Sequence, residues 1–215
     1  YASSCSVYGV SENPNVKEDN PLVPITDYNK YKALCEPELI DEVDKNFHGI
    51  IIRPATVCGF SEKMRFDLTV NILTNFAYNK KYIKVFGGNQ YRPNIHIDDM
   101  CEIYLNLILN DTTHVNGQIF NAGIENLKVI EIAKKVKKIV DERLNENIKI
   151  ITTPSDDVRS YQINSEKIIS LLPFKFKRNV DQAISDLVDN FEDQTMKDTF
   201  SDKWVNLSIL KSRGY

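Results

Sequence analysis

The stretch Ser3-Ser4-Cys5-Ser6-Val7-Tyr8-Gly9 fills four successive positions with hydroxyl and thiol side chains before a Val-Tyr-Gly turn. Such a run reads either as a strand entering a turn or as the rim of a reaction site. Further along, Tyr28-Asn29-Lys30-Tyr31-Lys32 sets a tyrosine and a lysine four positions apart. On a helix that spacing brings both side chains to one face, one turn apart. An ammonium about 5 Å from a phenolate contributes about 3 kcal/mol at an effective dielectric of about 20, close to the roughly 4 kcal/mol separating an ordinary tyrosine from one that ionises near neutrality. The pair therefore suits a general base. Spacing alone is weak, because a chain of 215 residues with 10 Tyr and 20 Lys produces about one such pair by chance.

Outward from these two stretches the chain alternates strands and helices. Thr26 or Asp27 can cap a helix starting at Tyr28, and Leu34, Leu39, Ile40 and Val43 carry it to about Phe47. His48 to Pro54 reads as a β-branched strand stopped by proline, and its continuous apolar run implies burial on both faces and a parallel sheet. Helices are expected over 67–79, 100–109, 127–140, 163–172 and 180–191, and strands near Ala2 and over 82–86, 93–97, 118–121 and 148–152. Asp99 and Glu102 have the spacing of a capping box. The pattern is that of an α/β chain, with no internal repeat.

Composition excludes several classes. The 215 residues are 42% hydrophobic and 27% charged, with a formal net charge of -3, so there is no basic footprint for nucleic acid. No apolar run approaches the length needed to span a membrane, and no charged-then-apolar signal opens the chain. The cysteines at 5, 35, 58 and 101 have neither metal-site nor small-scaffold disulfide spacing and read as reduced thiols in a cytoplasmic protein.

Taken together, the Ser-rich opening, Val-Tyr-Gly and Tyr-x-x-x-Lys resemble the extended short-chain dehydrogenase/reductase superfamily, in its nucleotide-sugar epimerase/dehydratase branch. The resemblance runs from Ser3 to about Leu187. It is strengthened by RPATVCG at 53–59, matching the family's Arg-Pro-x-Asn-Val-Tyr-Gly, by VFGGNQYRPNIHIDD at 85–99 and by QIFNAG at 118–123. It implies the C-terminal part of a Rossmann-like doubly wound parallel sheet plus a small mixed α/β substrate-binding domain. Residues 1–60 would be the remainder of the NAD-binding domain, 61–190 mainly the substrate-binding domain with short returns, and 191–215 a C-terminal tail.

The resemblance also implies roles. Ser4 would hydrogen-bond the reacting sugar hydroxyl, Tyr28 would be the acid/base, and Lys32 would hold the nicotinamide ribose and favour the Tyr28 phenolate. Pro54 would lie by the nicotinamide carboxamide. Thr56, Leu68 and Arg92 would contact the nucleotide-diphosphate sugar, Arg92 meeting the diphosphate, with Arg159 a second candidate for that work. The cofactor would be NAD, with NADP also open, and the full-length protein a homodimer. The reaction implied is epimerisation, at carbon 4 by preference, through a 4-keto sugar. A 4-keto reductase, a 4,6-dehydratase and a non-catalytic binding or scaffold relative are the alternatives. The glycines, at 9, 49, 59, 87, 88, 117, 123 and 214, never form the Gly-x-x-Gly-x-x-Gly turn that receives a dinucleotide pyrophosphate. The chain is therefore expected to be a fragment lacking the first half of its dinucleotide domain, inactive and unable to bind NAD alone.

Other polar residues have plainer readings. Cys5 is expected to pack, His96 to be a satisfied core or rim histidine, Asp98 and Asp99 to serve structure and not a metal, and Trp204 to pack with its neighbours. Dehydratases of the family carry Asp-Glu after the catalytic threonine, where this chain has Cys5 and Ser6. Neither supplies a carboxyl group, which disfavours elimination. Thr56 replaces the family's Asn, keeping a hydroxyl and losing an amide.

Overall fold

The computed structural model describes residues 1–212 and 214. The chain divides into two compact units, the first made of Tyr1–Val57, Gln90–Leu127 and Asp157–Lys177, the second of Cys58–Asn89, Lys128–Asp156 and Arg178–Tyr215.

The first unit is built on parallel strands, as the apolar run at 48–54 requires. Strand β1 (Ile51–Pro54) pairs in parallel with β5 (Ile119–Ala122), Ile52 opposite Phe120 and Pro54 opposite Ala122. On the other side of β1, Ala2 makes a parallel bridge to Ile52, closed by Ser3 N–H donating to the Ile52 carbonyl at 2.8 Å. The strand expected near Ala2 is thus a single bridge, because the chain leaves the sheet at Ser4. There the Ser4 hydroxyl accepts the Ser6 N–H and starts a 3-10 turn over Cys5–Tyr8. Gly9 ends it at φ 63, and a Cβ at that position would overlap the Val23 carbonyl, so only glycine makes this turn without strain.

Helix α1 (Asp27–Asp41) starts where predicted, with the Thr26 hydroxyl accepting the Asn29 N–H at 3.3 Å. It stops short of Phe47 because the Asp44 carboxylate accepts the Asn46 and Phe47 amides, both at 2.7 Å, a local turn that competes with helix. Strands β2 (Thr56–Cys58), β4 (Tyr91–His96) and β6 (Glu125–Lys128) form a sheet in the order β2-β4-β6. β2 and β6 were not legible, being short and without alternation. Helix α3 (Ile97–Leu109) begins earlier than Met100. Its cap is His96, whose Nδ1 accepts the Asp98 amide at 3.2 Å, whereas Asp99, expected as the cap, is buried and accepts the Lys177 amide at 3.0 Å. With the short α5 (Glu166–Leu171) these elements enclose a core of Cys5, Val7, Tyr8, Ile52, Ile95, Ile103, Phe120 and Ile163, each large apolar side chain contributing about 1.5–3 kcal/mol.

The second unit repeats the theme. Strand β3 (Tyr82–Phe86) pairs in parallel with β7 (Lys149–Thr153). Helices α2 (Thr69–Lys80), α4 (Val129–Leu144) and α6 (Val180–Glu192) pack on one another. Ile132, Val136 and Val140 form the buried stripe of α4, the four-residue spacing of one helix face. Residues beyond 190 carry α7 (Asn206–Ser212) and bring Met196 and Trp204 against the cluster of Met64, Phe66, Leu187 and Phe191. The Trp204 ring meets Phe66 edge-on, centroids 6.3 Å apart. Among the described residues no helix is long and apolar enough to cross a membrane.

Candidate active site

In an open parallel sheet, ligands bind beyond the carboxyl ends of the strands. At that end of the first unit stand Ser4, just past the Ala2 bridge, Pro54 at the end of β1, and Gly123 just past β5. Packing there is tight, since a Cβ on Gly123 would come within 2.6 Å of the Ala55 Cβ and 2.9 Å of Ile163 Cδ1.

Ser4 is half-buried, its Oγ 2.8 Å from Ser6 Oγ. Ser6 in turn donates to Asn29 Oδ1 at 2.7 Å. This tie joins the 3-10 turn to the first turn of α1, beside Tyr28. Tyr28 is 58% exposed, open to a ligand. Lys32 lies one turn on, its Nζ 5.7 Å from the centre of the Tyr28 ring and donating to the Ala2 carbonyl at 2.6 Å. Tyr28 and Lys32 share a face, as their spacing predicted.

One further turn along that face is Glu36, which sequence reasoning missed. It is 3% exposed and meets the 3%-exposed Arg53 of β1 as a fork: Arg53 Nε donates to Oε1 at 3.0 Å and Nη2 to Oε2 at 2.6 Å. Ser3 Oγ donates to the same carboxylate at 2.5 Å. Arg53 Nη1 also donates to the Tyr8 hydroxyl at 2.7 Å and the Glu18 carbonyl at 3.0 Å, while the Tyr8 hydroxyl donates to Asn121 Oδ1 at 2.8 Å. Burial works against the Arg53 charge, but Glu36 and Tyr8 hold it firmly. Burial also pushes the Cys5 thiol and Tyr8 phenol upward, against the pull of Arg53, so Cys5, which donates to the Arg53 carbonyl at 2.8 Å, is an inert packing residue. The available signal was the row Tyr28, Lys32, Glu36, spaced by four, facing an arginine inside an apolar strand.

Arg92 and Arg159 are brought together by Asp157. Arg159 grips the Asp157 carboxylate through Nε and Nη2, both at 2.8 Å, and Arg92 Nη2 reaches it at 2.7 Å. Arg92 is only 8% exposed and also donates to the Tyr91 and Arg159 carbonyls. The hydrogen bond from Arg159, with the charge of Arg92 and against the effect of partial burial, holds the Asp157 carboxyl down at about 2. Arg92 is therefore engaged within the chain, and the more open Arg159 presents the accessible charge of the trio. Thr56 and Pro54 are half-buried in the first unit. Leu68 belongs to the second unit, as the residue that precedes α2.

Among the described residues no group of three or more His, Cys, Asp or Glu side chains could hold a metal. Tyr28, Lys32 and Pro54 stand at the open carboxyl end of the parallel sheet, where the resemblance expects the nicotinamide-ribose end of a dinucleotide. The chain has no glycine-rich turn for its pyrophosphate.

A model of the NAD dependent epimerase/dehydratase family matches residues 1–123. A UDP-glucose 4-epimerase of Azospirillum brasilense is 22% identical over 161 residues, covering 67% of this chain and 46% of that protein. The fold is similar to that of dTDP-glucose 4,6-dehydratase of Bacillus anthracis in complex with NAD, with a TM-score of 0.74 and 19% identity over 96% of this chain and 63% of that one. It is also similar to UDP-glucuronic acid 4-epimerase of Bacillus cereus in complex with UDP-glucuronic acid and NAD, with a TM-score of 0.75 and 18% identity over 90% and 60%. The chain thus spans about half the length of the curated relative it matches.

Proposed function

The chain belongs to the NAD dependent epimerase/dehydratase family, and we propose that the protein carrying it is an NAD-dependent nucleotide-sugar epimerase acting at carbon 4 through a transient 4-keto sugar. The observation that carries the reading is the cluster at the carboxyl end of the parallel sheet: Tyr28 exposed, Lys32 5.7 Å from its ring, and the Ser4 hydroxyl tied through Ser6 to the residue beside Tyr28. Tyr28 takes the proton of the reacting sugar hydroxyl and returns it after the ketone has turned over. Ser4 holds that oxygen in both states. Lys32 places positive charge where the phenolate forms and lies where it can also reach a ribose. The dinucleotide, when bound, supplies the reversible two-electron oxidation of the carbinol carbon. Arg159, with Arg92 behind it, offers charge to the diphosphate.

The absence of a carboxyl group at Cys5 and Ser6 favours epimerisation over 4,6-elimination. Reduction of a 4-keto sugar is the second reading, since the same residues protonate the same oxygen. A non-catalytic scaffold role is disfavoured by the intact Ser4, Tyr28 and Lys32. The exposed Tyr31 and Leu34 of α1 support a homodimer. The residues 1–215 by themselves are assigned no activity and no NAD binding, for want of a pyrophosphate turn. The test is turnover of UDP-sugars by the protein carrying this chain, followed by NMR of the 4-epimers. Tyr28→Phe should lower turnover by roughly 100-fold or more with NAD still bound. Turnover equal to wild type would remove Tyr28 from the mechanism.

A further inference from the structure

Asn29 stands beside the acid/base tyrosine and takes no chemical step in the scheme above, yet its side chain is fully buried and one end of its amide is unpaired. Oδ1 accepts the Ser6 hydroxyl at 2.7 Å, whereas Nδ2, shut off from solvent, has no hydrogen-bond partner among the described residues. The consequence falls on Ser4. Because Oδ1 only accepts, the single Ser6 proton is committed to Asn29. The 2.8 Å contact between Ser4 and Ser6 must then be filled by the Ser4 proton. One Ser4 lone pair already accepts the Ser6 N–H at 3.2 Å, and the other is left to face outward as an acceptor. In this state Ser4 can accept from a sugar hydroxyl and cannot donate to a ketone.

Half a turn of the Asn29 amide reverses the whole chain. Nδ2 would then donate to Ser6, Ser6 to Ser4, and Ser4 outward to a carbonyl oxygen, while the Ser6 N–H bond to Ser4 is unchanged. The donor and acceptors of the two serine hydroxyls are accounted for in both directions. Each direction leaves one end of the buried amide unpaired, Nδ2 in the first and Oδ1 in the second, so neither is held by an extra bond that the other lacks. An amide satisfied at both ends would lock one direction.

We propose that Asn29 is a positioning residue whose amide sets, and by rotating reverses, the polarity of the Ser4–Ser6 hydroxyl pair, so that Ser4 accepts from the alcohol and donates to the ketone of a nucleotide sugar. This rests on the reading of the site given above. In the protein carrying this chain, loaded with NAD, Asn29→Leu takes away the group that sets either polarity, and kcat should fall by at least roughly 10-fold, part of the roughly 100-fold or more lost with a pre-oriented donor, with KM little changed. Asn29→Asp offers only an acceptor when ionised and regains a donor when protonated. Its kcat should climb towards wild type as the pH is lowered, a rise that Asn29→Leu does not show. In protein selectively labelled with 15N-asparagine, a bound 4-keto nucleotide sugar should shift the Asn29 Nδ2 protons downfield, and Ser6→Ala should abolish that shift. A kcat within 2-fold of wild type in Asn29→Leu, or the same pH-independent loss in both variants, would overturn the proposal. So would a ketone-induced shift of the Nδ2 protons that survives Ser6→Ala. A wild-type protein that turns over no nucleotide sugar would refute the assigned activity alone, and the response of the Nδ2 protons to a 4-keto nucleotide sugar, with Ser6 and without it, would still decide the role of the amide.

Discussion

Replacing Glu36 by alanine tests the tie between α1 and the parallel sheet. The carboxylate accepts three hydrogen bonds, from Ser3 Oγ, Arg53 Nε and Arg53 Nη2. Without it, a guanidinium that is 3% exposed keeps, among the described residues, the Tyr8 hydroxyl and the Glu18 carbonyl as its hydrogen-bond partners. Breaking one side of a buried pair typically costs about 3–5 kcal/mol, because the remaining charge is left without compensation. That is a large share of a total stability of roughly 5–15 kcal/mol. The pair Glu36→Leu with Arg53→Met removes both charges and fills the space. Ser3 then lacks an acceptor while Tyr8 still donates to Asn121, so the double variant should lie within about 2 kcal/mol of wild type. The coupling between the two sites should therefore be at least about 2 kcal/mol. The single tryptophan, Trp204, sits in the second unit and reports nothing of this region. Native-state hydrogen exchange of the β1 and β5 amides, which include the fully buried Ile51 and Phe120, is the suitable assay. Protection there should drop in Glu36→Ala and return in the double variant. A double variant as unprotected as the sum of its single changes, or a Glu36→Ala protein with unchanged protection, would refute this reasoning.

Three further outcomes are expected. Asp157 titrates at about 2 in the folded chain, below the roughly 3.9 of an unfolded aspartate; its contribution is fully present above about pH 4 and is lost as the pH falls towards 2, so the stability difference between wild type and Asp157→Asn should close over that window in acid unfolding, and a difference that persists at pH 2 would contradict it. In the protein carrying this chain, Arg92→Ala leaves Asp157 to offset the charge of Arg159 alone and should weaken nucleotide-sugar binding by roughly 10-fold while NAD binding changes little, and equal weakening of both in calorimetry would place Arg92 elsewhere. Gly9→Ala combines a left-handed φ of 63 with a Cβ overlapping the Val23 carbonyl, so it should cost roughly 2–5 kcal/mol in urea unfolding, and a cost under about 1 kcal/mol would show that the turn can relax.

Local pattern was enough for much of this protein. The β-branched run at Ile50–Ile52 required a strand buried on both faces, and it lies between Ala2 and β5 in parallel. The four-residue spacing of Tyr28 and Lys32 was sufficient to place both on one face of α1, because helix geometry is the same wherever the helix is put. Thr26 capped that helix through its own hydroxyl, a contact made within one turn of chain. Elements whose signal is not local could not be read: β2 and β6 are strands only because β4 lies between them, and the strand expected at Ala2 shrank to a bridge because Ser4 turned away to cap a 3-10 turn. The polar partners across the fold were likewise decided by tertiary structure. Asp99 looked like a cap and instead holds the distant Lys177 amide, Arg92 looked free to meet a diphosphate and is gripped by Asp157, and Glu36 and Asn29 looked like ordinary helix residues and are buried against Arg53 and Ser6. Helix and strand periods fix which way a side chain points, but whether a buried charge or amide finds a partner depends on atoms that only folding brings within hydrogen-bond reach.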